Sequence, residues 1–414
     1  MSDKIAKTII EDNEFLSRFG IYIPGKNSFP QIYLKYLPED FIVEEINSQN
    51  EICTIERTNI TPDYFESKYI KATLVKKGLR TTEVVEILSK LLGCEMNQIK
   101  YMGLKDEDAI TAQKISFANI QLEDLLKIKS EVFFLKDFEP TGRHLVIGEN
   151  AGNRFTIIGR KMPNSNFDVT PKIGVNYFYN YFYTQRFLPP RFANFYWAIL
   201  LLQEHYEESL HNFLFFCSQY ENLEIESMRK KAEQYSGKWT EVKKIFQNEE
   251  AYFEREIKVL EYLENNPTDT IGALNQIPEQ VKLWIYSISS WFFNHKISSI
   301  IKSNRHIPNT LPMYMNQRDA DYSMYKEFAT NLNIYPPNNK ILKAFPFLNF
   351  KNNYVKTLGS ATVLKFEEKE NYIKIVFDLE TGSYATSFLA HFFNIISGKI
   401  PDGFSTKIIE EVNF

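Results

Sequence analysis

Asp106 stands in the stretch YMGLKDEDAITAQKISF, Tyr101 to Phe117, where three acids and two lysines crowd Lys105 to Lys114. A carboxylate in a turn ordinarily makes a local backbone hydrogen bond; set in a cleft, the same group does acid–base work. A second stretch is GNRFTIIGR, Gly152 to Arg160. If extended, it turns Asn153, Phe155 and Ile157 to one face and Arg154, Thr156 and Ile158 to the other. Amide plus aromatic is a combination that hydrogen-bonds and stacks a splayed base, although Phe155 taken alone reads as plain core. Lys35, in YLKYLPEDFIVEEI, precedes Asp40 by five residues, and Pro38 holds the chain between them extended or turned. Such a lysine pairs with a carboxylate from elsewhere or is simply solvated.

Three further stretches could meet phosphate or base. NYFYTQRF, Asn180 to Phe187, offers Tyr181, Phe182, Gln185 and Arg186, which either line an RNA surface or end a helix. In LETGSYATSFL a Gly382 turn leads through Ser383 and Thr386 into a helix start, whose backbone N–H groups suit a phosphate. It lacks GxxxxGK[ST], so nucleotide hydrolysis is not indicated. KATLVKKGLR carries Lys71, Lys76, Lys77 and Arg80, with Lys68 just before, a stripe fit to follow a phosphate backbone or to solvate a strand edge. The six histidines show neither HExxH nor a ligand grouping, and GxSxG is absent. No metal site is expected.

Elements must hold these residues in place. FIVEEI, ICTIER and RFTIIGR read as strands, and TTEVVEILSKLL reads as a helix with Thr81 or Thr82 as cap and Gly93 as stop. In that helix Val84, Val85, Ile87, Leu88, Leu91 and Leu92 recur at helical spacing. From about Pro189 to Lys351 long helical patterns dominate, and the charge-rich part beginning MRKKAEQYSG reads as a solvated amphipathic helix. Strand periodicity returns in SATVLKF and YIKIVFDL. The order predicts an α+β fold, a mixed sheet interrupted by a mainly helical insertion, with residues 1–188 and 352–414 flanking an insertion at 189–351.

Totals bound the function classes. With 414 residues, 44% hydrophobic and 24% charged, the chain can fill two cores and is not disordered in composition. A net charge of −4 argues against a uniformly basic nucleic-acid coat and leaves room for a local basic patch. Three scattered cysteines without CxxC spacing suggest a reducing compartment. Acidic residues at 11, 12 and 14 interrupt any apolar leader. The most apolar stretch, Tyr196 to Leu202, falls short of the roughly 18 residues of a membrane span. A cytoplasmic protein is expected.

Taken in order, KYLPEDFIVEE, GLKDEDAITAQ, GNRF, NYFYTQRF and GSYAT resemble the motifs of the tRNA pseudouridine synthase D (TruD) family, and they run from Lys35 to Thr386. The resemblance implies a pseudouridine-synthase fold, a mixed, mostly antiparallel central sheet flanked by helices, with a helical inserted TRUD domain. It implies isomerisation of a uridine in RNA, at position 13 of tRNA, without cofactor, metal or nucleotide; a monomer is expected. Asp106 matches the catalytic aspartate, as nucleophile at C1′ or C6 or as a base. Lys35 matches the lysine that keeps it ionised, Phe155 the ring that stacks on the flipped uracil, and Asn153 a residue holding Asp106 or the base edge. Tyr181, Phe182, Gln185, Arg186, Ser383 and Thr386 match supporting positions. Tyr179, Tyr183, Thr184 and Leu188 depart from the small residues and glycine usual there, and acidic residues follow Asp106 where relatives carry basic ones. The competing expectation is a non-catalytic RNA-binding or tRNA-chaperone protein.

Overall fold

In a computed structural model, residues 7–57, 63–163, 165, 167, 169–315, 319–335, 339–410 and 412 are described. The chain forms two compact units, one of Ser28–Phe178 and Gly359–Phe414, the other of Met1–Asn27 and Tyr179–Leu358. The division falls at 178/179 and 358/359, so the helical unit starts ten residues before Pro189 and takes in the chain up to Asn27.

The first unit is built on a mixed sheet, mostly antiparallel. Its order runs Asn394–Gly398, Gln31–Tyr33, Gly152–Arg160, Phe41–Ile46, Ile110–Ala118, Tyr69–Lys77, Phe133–Thr141. Tyr372–Glu380 pairs with both Gly152–Arg160 and Leu358–Glu368. Parallel pairings join Asn394–Gly398 to Gln31–Tyr33 and Phe41–Ile46 to Ile110–Ala118. Strand alternation then sorts the core. Ile70, Ala72 and Leu74 share one face with Ile115 and Phe117, while Val75 lies among Ile42, Ile110, Ala112 and Phe134 on the other.

Helix Thr81–Leu92 covers the first of these faces with Val84, Val85 and Leu88. Burying each such side chain stabilises by about 1.5–3 kcal/mol. Gly93 ends the helix at φ +61, as its sequence indicates. Leu91 stays exposed, and the N-cap is Arg80 rather than either threonine, because the Thr81 hydroxyl is engaged elsewhere.

The second unit is mainly helical. Helix Pro278–Lys302 forms its axis, and Trp284 meets Trp197 of helix Asn194–Leu202 edge to face at 5.1 Å. The charge-rich segment is not one helix but three, Leu223–Glu233, Trp239–Phe246 and Glu250–Asn265. Gly237, at φ +86, makes the first break. Nor is the segment wholly solvated: Arg229 is buried and bonds Glu221 and Glu256. Among the described residues no helix is long and apolar enough to cross a membrane.

Candidate active site

Lys35 and Asp106 lie 71 residues apart in sequence and meet at 2.5 Å, Lys35 Nζ donating to Asp106 Oδ1. Asp106 sits in the turn between strands Ile99–Tyr101 and Ile110–Ala118. Lys35 follows strand Gln31–Tyr33 with φ +59, a left-handed backbone that a lysine adopts at a cost of order 1–3 kcal/mol. The surroundings hold it there. Its ammonium lies 4.1 Å from the centre of the Phe41 ring, and the following turn is closed by the Leu37 N–H donating to Asp40 Oδ2. The Asp40 carboxylate in turn receives two hydrogen bonds from Arg160, at 2.7 and 2.9 Å, with both residues buried.

The turn bearing Asp106 is fastened at three points. Lys105 Nζ reaches Asn153 Oδ1 at 2.5 Å and Glu45 Oε2 at 2.9 Å, residues directly opposed on neighbouring strands. The Lys105 N–H donates to the Thr81 hydroxyl, which donates to Gln113 Oε1, and the Gln113 amide donates to the Gly103 carbonyl. Lys76 Nζ donates to the Asp106 carbonyl at 2.7 Å. Asn153 therefore grips Lys105 rather than the Asp106 carboxylate.

Electrostatics follow from this crowding. Desolvation pushes the Asp106 carboxyl upward, but the charge and hydrogen bond of Lys35, with the charges of Lys76 and Lys105, outweigh it and hold the carboxyl below its ordinary value. With its side chain 40% exposed, the carboxylate is both ionised and reachable. Replacing Lys35 by Met removes the largest opposing charge, so the Asp106 pKa should rise. A carboxylate that works ionised loses activity as pH falls through its pKa. The acid limb of kcat/KM in Lys35→Met should therefore move to higher pH, and a limb that stays in place would separate Lys35 from Asp106 in function.

Phe155 is 6% exposed, stacked on Phe377 at 5.3 Å and edge-on to Phe41 at 5.9 Å. The expected stacking on uracil thus meets a ring already packed from two sides, more closely by Phe377 than by Phe41, the ring under Lys35. Phe155→Leu separates the two roles, since it keeps most of the packed volume at a cost usually below about 1.5 kcal/mol. The expected outcome is a folded protein with kcat/KM lowered roughly tenfold, the low end of what a stacked base loses. Unchanged kcat/KM would restrict Phe155 to packing.

The basic stripe divides. Lys76 is buried on the helix-covered face, Lys77 pairs with Glu39 at 2.5 Å, and Arg80 is exposed beside Glu83 at 3.9 Å. Lys71 faces elsewhere, lining a cleft of about 120 Å³ with Lys114, Arg143 and His144. Alternation along Tyr69–Lys77 is what parts Lys76 from Lys71 and Lys77. Ser383 lies in the Gly382 turn, and Thr386 is buried in helix Ala385–Leu389. Tyr181, Phe182, Gln185 and Arg186 belong to the helical unit. There the Tyr181 hydroxyl donates to the Tyr22 carbonyl at 2.8 Å, the Phe182 N–H donates to Asn294 Oδ1, the Arg186 guanidinium lies 5.3 Å from the Phe182 ring, and Gln185 is exposed.

Glu45, Thr81, Gln113 and the grip of Lys105 were not singled out from sequence as site residues. Their trace is there nonetheless: Glu45 and Gln113 place polar side chains at fully buried positions of strands, where each must have a partner.

The model of the family "tRNA pseudouridine synthase D (TruD)" matches residues 30–348. A protein of Methanocaldococcus jannaschii named probable tRNA pseudouridine synthase D 1 is 26% identical over 381 residues, covering 87% of this chain and 94% of that one. One of Thermococcus gammatolerans, named probable tRNA pseudouridine synthase D, is 33% identical over 187 residues, 44% of this chain and 42% of its own. The crystal structure of the putative tRNA pseudouridine synthase D from Methanosarcina mazei superposes with a TM-score of 0.64 at 19% identity, covering 92% of this chain and 98% of that one, which makes the fold a shared one. The chain belongs to the tRNA pseudouridine synthase D family and is thereby an isomerase, a pseudouridine synthase.

Proposed function

We propose that the protein converts one uridine of tRNA, the one at position 13, to pseudouridine, with Asp106 as the working carboxylate. The observation that carries this reading is the 2.5 Å contact between Lys35 and a partly exposed, ionised Asp106. The reaction breaks the bond from uracil N1 to C1′, turns the base and joins C5 to C1′. C5 gives up its proton and N1 ends with one, so composition and oxidation state are unchanged. A single fixed anion meets that demand, either by attack at C1′ or C6 or by taking a sugar proton. Lys35 keeps it charged, and Lys105, Glu45 and Asn153 fix the turn that aims it.

The uracil must leave its stack to reach a carboxylate lodged in a turn, and exposed cations such as Arg80 suit the flanking phosphates. The helical unit is read as the family's insertion and as a second grip on the RNA. Bulk tRNA treated with the protein, modified with carbodiimide and read by primer extension tests the proposal. One new stop, one nucleotide 3′ of position 13, is expected. A stop elsewhere would replace the target, and no stop in any tRNA would leave a protein that binds RNA without modifying it.

A further inference from the structure

We propose that Lys76 is a positioning residue for the isomerisation, its ammonium sealed beneath the turn at 103–108 and holding the Asp106 main chain so that the carboxylate stands at Lys35. The inference rests on the reading of Asp106 as the working carboxylate.

Strand alternation carries the first step. Along Tyr69–Lys77 the residues Ile70, Ala72 and Leu74 pack under helix Thr81–Leu92, and the next position of that face is Lys76, also fully buried. An apolar side chain would serve packing better there, because a buried ammonium needs compensating partners. Its partners are two carbonyls, Leu79 and Asp106, each at 2.7 Å. One contact closes the short link into the helix, and the other reaches across to the main chain of Asp106 itself. Burial lowers the Lys76 ammonium from 10.5 to about 8, with the Asp106 carboxylate opposing the shift. Near neutral pH the charge is therefore present and acts on Asp106 through its carbonyl and through space.

Burial decides how the residue acts. With no surface to offer, Lys76 does not reach an RNA phosphate, so its loss should spare KM and fall on kcat. A misplacement of about 1 Å at a reacting group costs up to about 100-fold. A merely structural lysine would lower the melting temperature and leave kcat of the folded protein unmoved.

The test uses Lys76→Gln, which keeps a donor without charge, and Lys76→Met, which removes both. Aspartate carboxyls labelled with carbon-13 are titrated in each full-length variant, and turnover is measured on tRNA. Expected are an upward shift of the Asp106 midpoint in both variants, kcat lower by about 10- to 100-fold, and KM within about twofold of wild type. Should Lys76→Met fail to fold, Lys76→Gln gives the same readouts. An unmoved midpoint with unchanged kcat, or a raised KM at unchanged kcat, overturns the proposal. If wild type leaves no mark on tRNA, the proposed reaction falls while the titration still decides whether Lys76 governs Asp106.

Discussion

Asp106→Asn should cut pseudouridine formation by at least about 10²-fold, and by far more if the carboxylate is the nucleophile, while tRNA binding stays the same or tightens slightly. Asparagine keeps the size of the side chain and an oxygen that accepts from Lys35, so the turn should persist. Its three fastenings, through Lys105, Thr81 and Lys76, do not involve the carboxylate. What disappears is the negative charge. A general base contributes about 10²–10⁴-fold, and loss of a nucleophile has cost on the order of 10⁶-fold in a well-studied protease, so the size of the loss also separates the two roles. Binding moves the other way, because removing an anion from a partly exposed site lowers its repulsion of phosphate. Single-turnover rates with saturating enzyme, alongside filter-binding affinities, read the two apart. Retained turnover would remove Asp106 from the chemistry, and lost binding with lost turnover would recast it as a structural residue of the RNA surface.

Motif residues were visible in the sequence because the turn and strand texts around them are compact, whereas their partners were not. GLKD by itself shows an acid in a turn; that a lysine 71 residues earlier serves it is implied only by the family resemblance, not by the local text. That meeting depends on strands Gln31–Tyr33 and Phe41–Ile46 being placed by Gly152–Arg160, a long-range pairing with no local signature. Strand alternation did predict Asn153, Phe155 and Ile157 on one face. It did not reveal that Phe155 would lie against Phe377, its register partner on a strand more than 200 residues later. The cations of KATLVKKGLR form a stripe only in one dimension; period two sends Lys76 inward, and applying that rule to the lysines would have found it. NYFYTQRF holds mostly aromatic and amide groups, and composition alone does not distinguish an RNA surface from the hydrogen-bonded packing that Tyr181 and Phe182 have with Ser298 and Asn294. Helix Thr81–Leu92 was the most legible element, since its periodicity, length and terminal glycine agree.

Arg160→Met should cost about 3–5 kcal/mol of stability, the range for stripping one partner from a buried ion pair. Arg160 ends strand Gly152–Arg160 and gives its guanidinium to Asp40 twice and to the Ser405 and Lys407 carbonyls at 2.7 and 2.8 Å. It therefore ties the strand of Asn153 and Phe155 to the turn that follows Lys35 and to the chain near its end. Burial already raises the Asp40 carboxyl in spite of these bonds. Without them it rises further, and a carboxyl raised in the folded state stabilises the fold below its unfolded value and loses that stability as pH rises through the folded one. The deficit of Arg160→Met against wild type should accordingly be smaller near pH 5 than near pH 8, measured by denaturant unfolding at both. Adding Asp40→Leu removes the stranded carboxylate, and the double variant should recover a substantial part of the loss, because apolar replacement of both partners is often neutral. Turnover then tells what the pair is for. If the ion pair specifies the left-handed Lys35 and not merely the stability of the sheet, the double variant folds well yet carries a raised acid limb, as Lys35→Met does; a stable double variant with wild-type turnover and pH profile would confine Asp40 and Arg160 to holding the fold.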